Sequence, residues 1–128
     1  MTASEKHICN VITSFKVRDS IKALTLAVLQ PLRDAWLKQI RINSGYRCEA
    51  LNQLVGGVST SQHVKGEAAD INTANPDESY MLSKLAKDLN LPFDQMILYP
   101  RFVHISHKLS GLQRRQILYN YRYKGPRL

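Results

Sequence analysis

Apolar side chains recur along the chain with two periods, and each period predicts its own kind of element. Ile21, Leu24, Val28 and Leu32 follow three-to-four spacing, extended by Ala35 and Trp36, which predicts a helix over 19–39. Pro31 falls inside this stretch, so the helix is expected to kink there or to be two helices meeting. Residues 40–43 read as a short strand that runs into the turn-like Ser44-Gly45. A short helix is predicted over 46–54, ended by Val55-Gly56-Gly57, with a loop from Gly56 to Gln62. Residues 68–72 read as a short buried strand. Asn75, Pro76 and Glu78 have the spacing of an N-cap, a first-turn proline and an N3 acid. They predict a helix to about residue 89 with Met81, Leu82, Leu85 and Leu89 facing inward. Strands at 95–99 and 102–106 are expected to meet at a tight turn on Pro100-Arg101.

Mixed periods without a repeat or a linker predict an α+β fold: one domain over 1–128 with a small, mostly antiparallel sheet flanked by helices. The 128 residues suit one core, and 44% apolar with 22% charged content argues against wholesale disorder. No apolar run approaches the roughly 18 residues of a membrane span, so no membrane partner is expected. The polar opening Met1–Asn10 shows no signal-peptide core, so action outside the cell would need another export route or release by lysis. Cys9 and Cys48 exclude a disulfide-dense scaffold and a four-thiolate zinc site. They are expected as two free thiols, with one disulfide left open.

Charge changes the picture towards the C-terminus. The chain holds 18 Lys+Arg against 10 Asp+Glu, a formal net charge of +8. After Asp94 there is no acid, while Arg101, Lys108, Arg114, Arg115, Arg122, Lys124 and Arg127 follow. A basic segment over about 108–128 suits an anionic partner such as a cell-wall polymer, or no specific partner at all. Tyr119, Tyr121 and Tyr123 interleave with these cations. That pattern fits base stacking, and it fits one face of an edge strand equally.

Three segments hold the candidate chemistry. His63 ends a loop, Asp70 lies on the strand that follows, and His104 lies on a later strand, while Lys65-Gly66 permits a turn between the first two. Two imidazoles and a carboxylate are a sufficient protein ligand set for a catalytic zinc with one position left for water. Spacing alone leaves the plainer reading open: a capping Asp, a surface His and a core His on an apolar strand. His104 and His107 have opposite strand parity, so both are not expected to face one metal. Arg47 adds a cation in the Ser44–Arg47 segment.

Taken together, these segments resemble the zinc D-alanyl-D-alanine carboxypeptidase family, which includes phage endolysins. The likeness runs through Arg41–Arg47, Leu51-Asn52, Val55–Gly57, Ser61–His63, Gly66–Ile71, Phe93–Ile97 and Phe102–Ser106. It implies a small α+β domain of the Hedgehog and DD-carboxypeptidase type. By the same resemblance His63, Asp70 and His104 hold one zinc ion, Ser61 shapes the ligand loop, and Arg47 meets a substrate oxygen. The implied reaction is zinc-dependent hydrolysis of an amide bond in peptidoglycan stem peptides, by a chain expected to be monomeric. Nucleic acid is the least favoured partner.

The chain departs from that family at the general base. Many relatives carry a carboxylate three residues before the last zinc histidine, where Arg101 stands here, and others carry a Glu at the position of Tyr99. Asp94 is the first candidate for the base and Glu67 the second, with His107 as a possible relay. On this reading Asp94→Asn abolishes hydrolysis and leaves zinc bound. A zinc-containing wall-binding module without turnover is the alternative.

Overall fold

The computed structural model describes residues 15–44 and 65–128. The long amphipathic stretch forms α1 (Phe15–Leu24), a wide π-type turn (Thr25–Leu29) and α2 (Gln30–Trp36). Ser20, Leu24, Val28 and Leu32 are buried at strict four-residue intervals. On a regular α-helix such a repeat drifts about 40° per step around the axis. The wide turn, in which the Gln30 N–H reaches back five residues to the Thr25 carbonyl, slows that drift. The same widening precedes Pro31, whose ring would otherwise crowd the carbonyl four residues before it. The expected interruption is therefore a change of helical pitch, and the helix ends at Leu37, in the left-handed region at φ 59°.

Five strands follow: β1 (Ile42–Ser44), β2 (Ala68–Asn72), β3 (Gln95–Leu98), β4 (Phe102–Ser106) and β5 (Gln116–Tyr119). They form one sheet in the order β1-β2-β4-β3-β5, antiparallel throughout except for the β3–β5 pair. The fold is thus the expected small α+β architecture with a mostly antiparallel sheet. The predicted strand at 102–106 has the observed bounds, whereas β5 went unpredicted. The expected helix at 46–54 and loop at 56–62 lie outside the described residues, as do Cys9 and Cys48.

Helix α3 (Pro76–Asp88) starts as its sequence predicts. The Asn75 carboxamide accepts the Glu78 N–H at 2.8 Å, and the Glu78 carboxylate accepts the Ala74 N–H at 3.2 Å. Its inward face differs from the expected one. Met81 and Leu89 are 56% and 42% exposed, while Ser79, Leu82, Ser83 and Ala86 are buried. Small side chains let the helix sit close to the sheet, and that turns the larger Met81 outwards. Ala69, Ile71, Met96, Val103 and Ile105 pack from the sheet against Leu24, Val28, Leu32, Leu82 and Ala86. One sheet face is therefore the core. Alternation along each strand sends Ala68, Asp70, Ile97, Phe102 and His104 to the opposite face.

Gly66 sets the entry into β2. Its φ is +72°, and a Cβ there would lie 2.9 Å from Ile21 Cγ1 and 3.0 Å from the Val17 carbonyl oxygen. Only glycine lets the chain pass this close to α1 in that conformation.

Candidate active site

The register of β2 on β4 sets Asp70 directly opposite His104. Both side chains stand on the face away from the helices, with Asp70 Oδ1 and His104 Nδ1 2.9 Å apart. The carboxylate is 18% exposed and the imidazole 13%. Residues 34 apart in sequence thus present an oxygen and a nitrogen to one point, semi-enclosed but reachable. His63, Arg47 and Ser61, also expected at the site, lie outside the described residues.

The hairpin that carries His104 is held at its tip. The Tyr99 N–H donates to the Phe102 carbonyl at 3.0 Å, closing the expected turn over Pro100-Arg101. The Ser79 hydroxyl donates to the Tyr99 carbonyl at 2.8 Å and lies 2.6 Å from the Thr73 hydroxyl. The Thr73 N–H donates to the Arg101 carbonyl at 3.0 Å. The start of α3 thereby fixes the turn between the strands. Beside the pair, the rings of Tyr99 and Phe102 stack with centroids 4.0 Å apart. Burial, and the neighbouring Asp70 carboxylate after it, push the Tyr99 phenol above its ordinary range.

The other candidates for proton transfer stand elsewhere. Asp94 lies just before β3, where its N–H donates to the Ser106 carbonyl at 2.7 Å. Its carboxylate is fully buried and bidentate with Arg114: Nε reaches Oδ1 at 3.0 Å and a terminal nitrogen reaches Oδ2 at 2.9 Å. The Arg114 N–H adds a third bond to Oδ1 at 3.1 Å, and Lys108 Nζ lies at 3.6 Å. The Arg114 side-chain hydrogen bonds hold the Asp94 carboxyl below its ordinary range, against the opposing effect of burial. A carboxylate so engaged is an anchor for the 108–116 segment and a weak proton acceptor. Glu67 accepts the Leu109 N–H at 3.0 Å and so ties the turn after β4. His107 directs Nδ1 at the Pro92 carbonyl, 2.6 Å away. Neither side chain is directed at the Asp70–His104 pair.

The donor chemistry fits zinc. Two ligand atoms about 2.0–2.1 Å from a tetrahedral zinc stand roughly 3.3–3.4 Å apart, so the hydrogen-bonded pair has to open only slightly to become two ligands. Among the described residues no group of three His, Cys, Asp or Glu side chains surrounds one point. A third ligand therefore has to come from outside them, where His63 stands in the sequence. No described helix is long and apolar enough to cross a membrane.

The C-terminal basic segment turns out to build structure as well as charge. Strand β5 completes the sheet beside β3, and Tyr123 is buried behind it with its ring 5.6 Å from that of Tyr119. Arg115 donates to the carbonyls of Leu91 and Lys87 and lies over the Phe93 ring. Only Tyr119 stands in the edge strand; Tyr121 lies beyond it on an exposed turn and Tyr123 is buried, so the three tyrosines do not share one strand face. The role of Arg114 escaped the sequence, because nothing near Asp94 in the chain names a partner 20 residues away.

No curated protein matches the chain. A family model for peptidase M15 matches residues 3–106. That stretch takes in β1 to β4 and both members of the Asp70–His104 pair, and it stops short of β5. The chain belongs to the peptidase M15 family, and with it to the zinc metallopeptidases that act on peptidoglycan.

Proposed function

We propose that this chain hydrolyses an amide bond in peptidoglycan stem peptides, as a carboxypeptidase or endolysin, with His63, Asp70 and His104 as the ligands of one zinc. The observation that carries the reading is the Asp70–His104 pair, opposed across β2 and β4 within the stretch shared with the family. When bound, zinc supplies a Lewis acid for the scissile carbonyl and a water of lowered pKa.

The chain's own residues do the rest. Asp70 contributes an anionic oxygen and His104 a neutral nitrogen through Nδ1. The anchored hairpin fixes where that nitrogen points. Arg47 meets the substrate carboxylate or carbonyl oxygen, for which a planar guanidinium is well shaped. Tyr99 stays protonated at neutral pH, so it donates a hydrogen bond on this face and accepts no proton. The Asp94 and Glu67 carboxylates are engaged by Arg114 and by the Leu109 N–H, which leaves the general base to residues outside the described ones or to the substrate itself.

That same observation favours a second reading: a zinc-containing wall-binding module without turnover. Incubation of the zinc-loaded protein with muropeptides, with and without chelator, separates the two. Chelator-sensitive cleavage is expected. Stoichiometric zinc, wall binding and no cleavage would establish the module instead.

A further inference from the structure

A groove of about 480 Å³ opens where the tip of the β3–β4 hairpin meets the turn after β5. Tyr99, Arg101 and Phe102 line one side, and Asn120, Tyr121 and Arg122 the other. Phe102 lies two residues before His104 on the same strand face, so the groove opens beside the Asp70–His104 pair. Asn120–Arg122 stand outside the stretch matched by the family, so this wall belongs to this chain's own C-terminal segment.

The lining specifies a ligand. It contains two guanidinium groups and no acid. Neither Arg101 nor Arg122 pairs with a carboxylate among the described residues, whereas Arg114 is committed to Asp94. Arg122 lies over the Tyr121 ring, with its guanidinium carbon 5.3 Å from the centroid, which limits where its fork can point. The Arg101 backbone is held by Thr73, so the second cation springs from a fixed turn. Two arginines over an aromatic floor suit a planar anion joined to an aliphatic chain. The Tyr99 and Phe102 rings stack on one another at 4.0 Å and so form one aromatic unit of that floor.

We propose that this groove binds a free carboxylate of the peptide substrate, one that flanks the scissile bond and takes no part in its cleavage. The proposal rests on the reading of the chain as a peptidase of peptidoglycan peptides, and it makes the enzyme selective for stem peptides whose isoglutamate α-carboxylate is free.

The test compares two synthetic stem peptides with identical ends, one with the isoglutamate α-carboxylate and one with the α-carboxamide. Calorimetry with the full chain is expected to show about tenfold tighter binding of the carboxylate peptide at low salt, as suits a charge-assisted contact. The double variant Arg101→Gln, Arg122→Gln is expected to bind both peptides like the amide. In the wild-type protein, amide resonances of Asn120–Arg122 should shift with the carboxylate peptide and stay in place with its twin, a readout that needs no variant. Equal binding of both peptides overturns the proposal, as does a carboxylate preference that survives in the double variant. An oligonucleotide that binds in a salt-dependent manner and displaces the peptide from these residues overturns it in favour of nucleic acid. Cleavage is scored separately. Preference without hydrolysis by the zinc-loaded protein keeps the groove and removes the peptidase reading, while hydrolysis without preference does the reverse.

Discussion

Two aspartates, one just before β3 and one within β2, show how the same carboxylate serves opposite ends. Asp94 is fully buried, receives three hydrogen bonds from Arg114 and has Lys108 beyond them. Asp70 is 18% exposed and faces an imidazole. Arginine is a permanent cation, so the Asp94 pair stands wherever its carboxyl is ionised, a range that the lowered pKa extends towards acid. A neutral imidazole offers a lone pair, so a carboxylate–imidazole pair can give up its hydrogen bond and take a metal instead. One pair holds a loop to the core, and the other is left available for chemistry. Sequence reading treated both as candidates for chemistry, and the partner in space separates them.

The comparison breaks most sharply at the exposed pair. On the proposed ligand set, Asp70→Asn or His104→Ala removes a ligand outright. The loss in zinc affinity should exceed the roughly 10–100-fold typical of losing an outer-shell partner. Elemental analysis of purified protein should show about one equivalent of zinc in the wild type and far less in either variant. Stability without metal should change little, because the pair stands apart from the core. Retention of full zinc by both variants would remove these residues from the site.

The next effect is on folding. Arg114→Met leaves the Asp94 carboxylate buried without its main partner. Breaking a buried ion pair costs about 3–5 kcal/mol. Arg114 is 49% exposed and Lys108 stands by, so we expect about 2–3 kcal/mol, read as a lower denaturation midpoint. The folded variant should bind zinc like the wild type. A stable Arg114→Met with altered zinc binding would mean that the two aspartate sites are coupled.

What the sequence disclosed depended on how local the cause was. The cap of α3 and the turn at Pro100-Arg101 are set by neighbours in the chain, and both were legible. Strand parity already divided His104 from His107. The Asp70–His104 contact needed a register between strands 34 residues apart, and only the resemblance supplied it. The inward face of α3 was legible at Leu82 and Leu85 and misread at Met81 and Leu89, because its small residues, Ser79, Ser83 and Ala86, carry no hydrophobic signal, although they fit the closest approach to the sheet. Strand β5 was missed because it is a half-exposed edge whose pairing with β3 is parallel and distant. The bond from Arg114 to Asp94 was hidden for a similar reason: a run of cations reads as a solvated surface until one of them is seen to be committed.

The smallest expected effect is the most discriminating for Asp94. Its carboxyl is held below the ordinary value, so the folded state keeps it ionised where the unfolded chain takes up a proton. The sign follows from linkage: the stabilisation is complete above the unfolded value, about 3.9, and is lost as pH falls through the lower folded value. Unfolding free energies of wild type and Asp94→Asn should differ by a constant amount between about pH 5 and 8. The gap should narrow below about pH 4, because the asparagine does not titrate. Near neutral pH the same variant, while folded and zinc-loaded, should cleave peptide within about twofold of wild type. That expectation reverses the one drawn from sequence, since a carboxylate bound on both oxygens by Arg114 is a weak proton acceptor. A folded, zinc-replete Asp94→Asn with no turnover would restore it as the base, and would require the Arg114 clamp to open during the reaction.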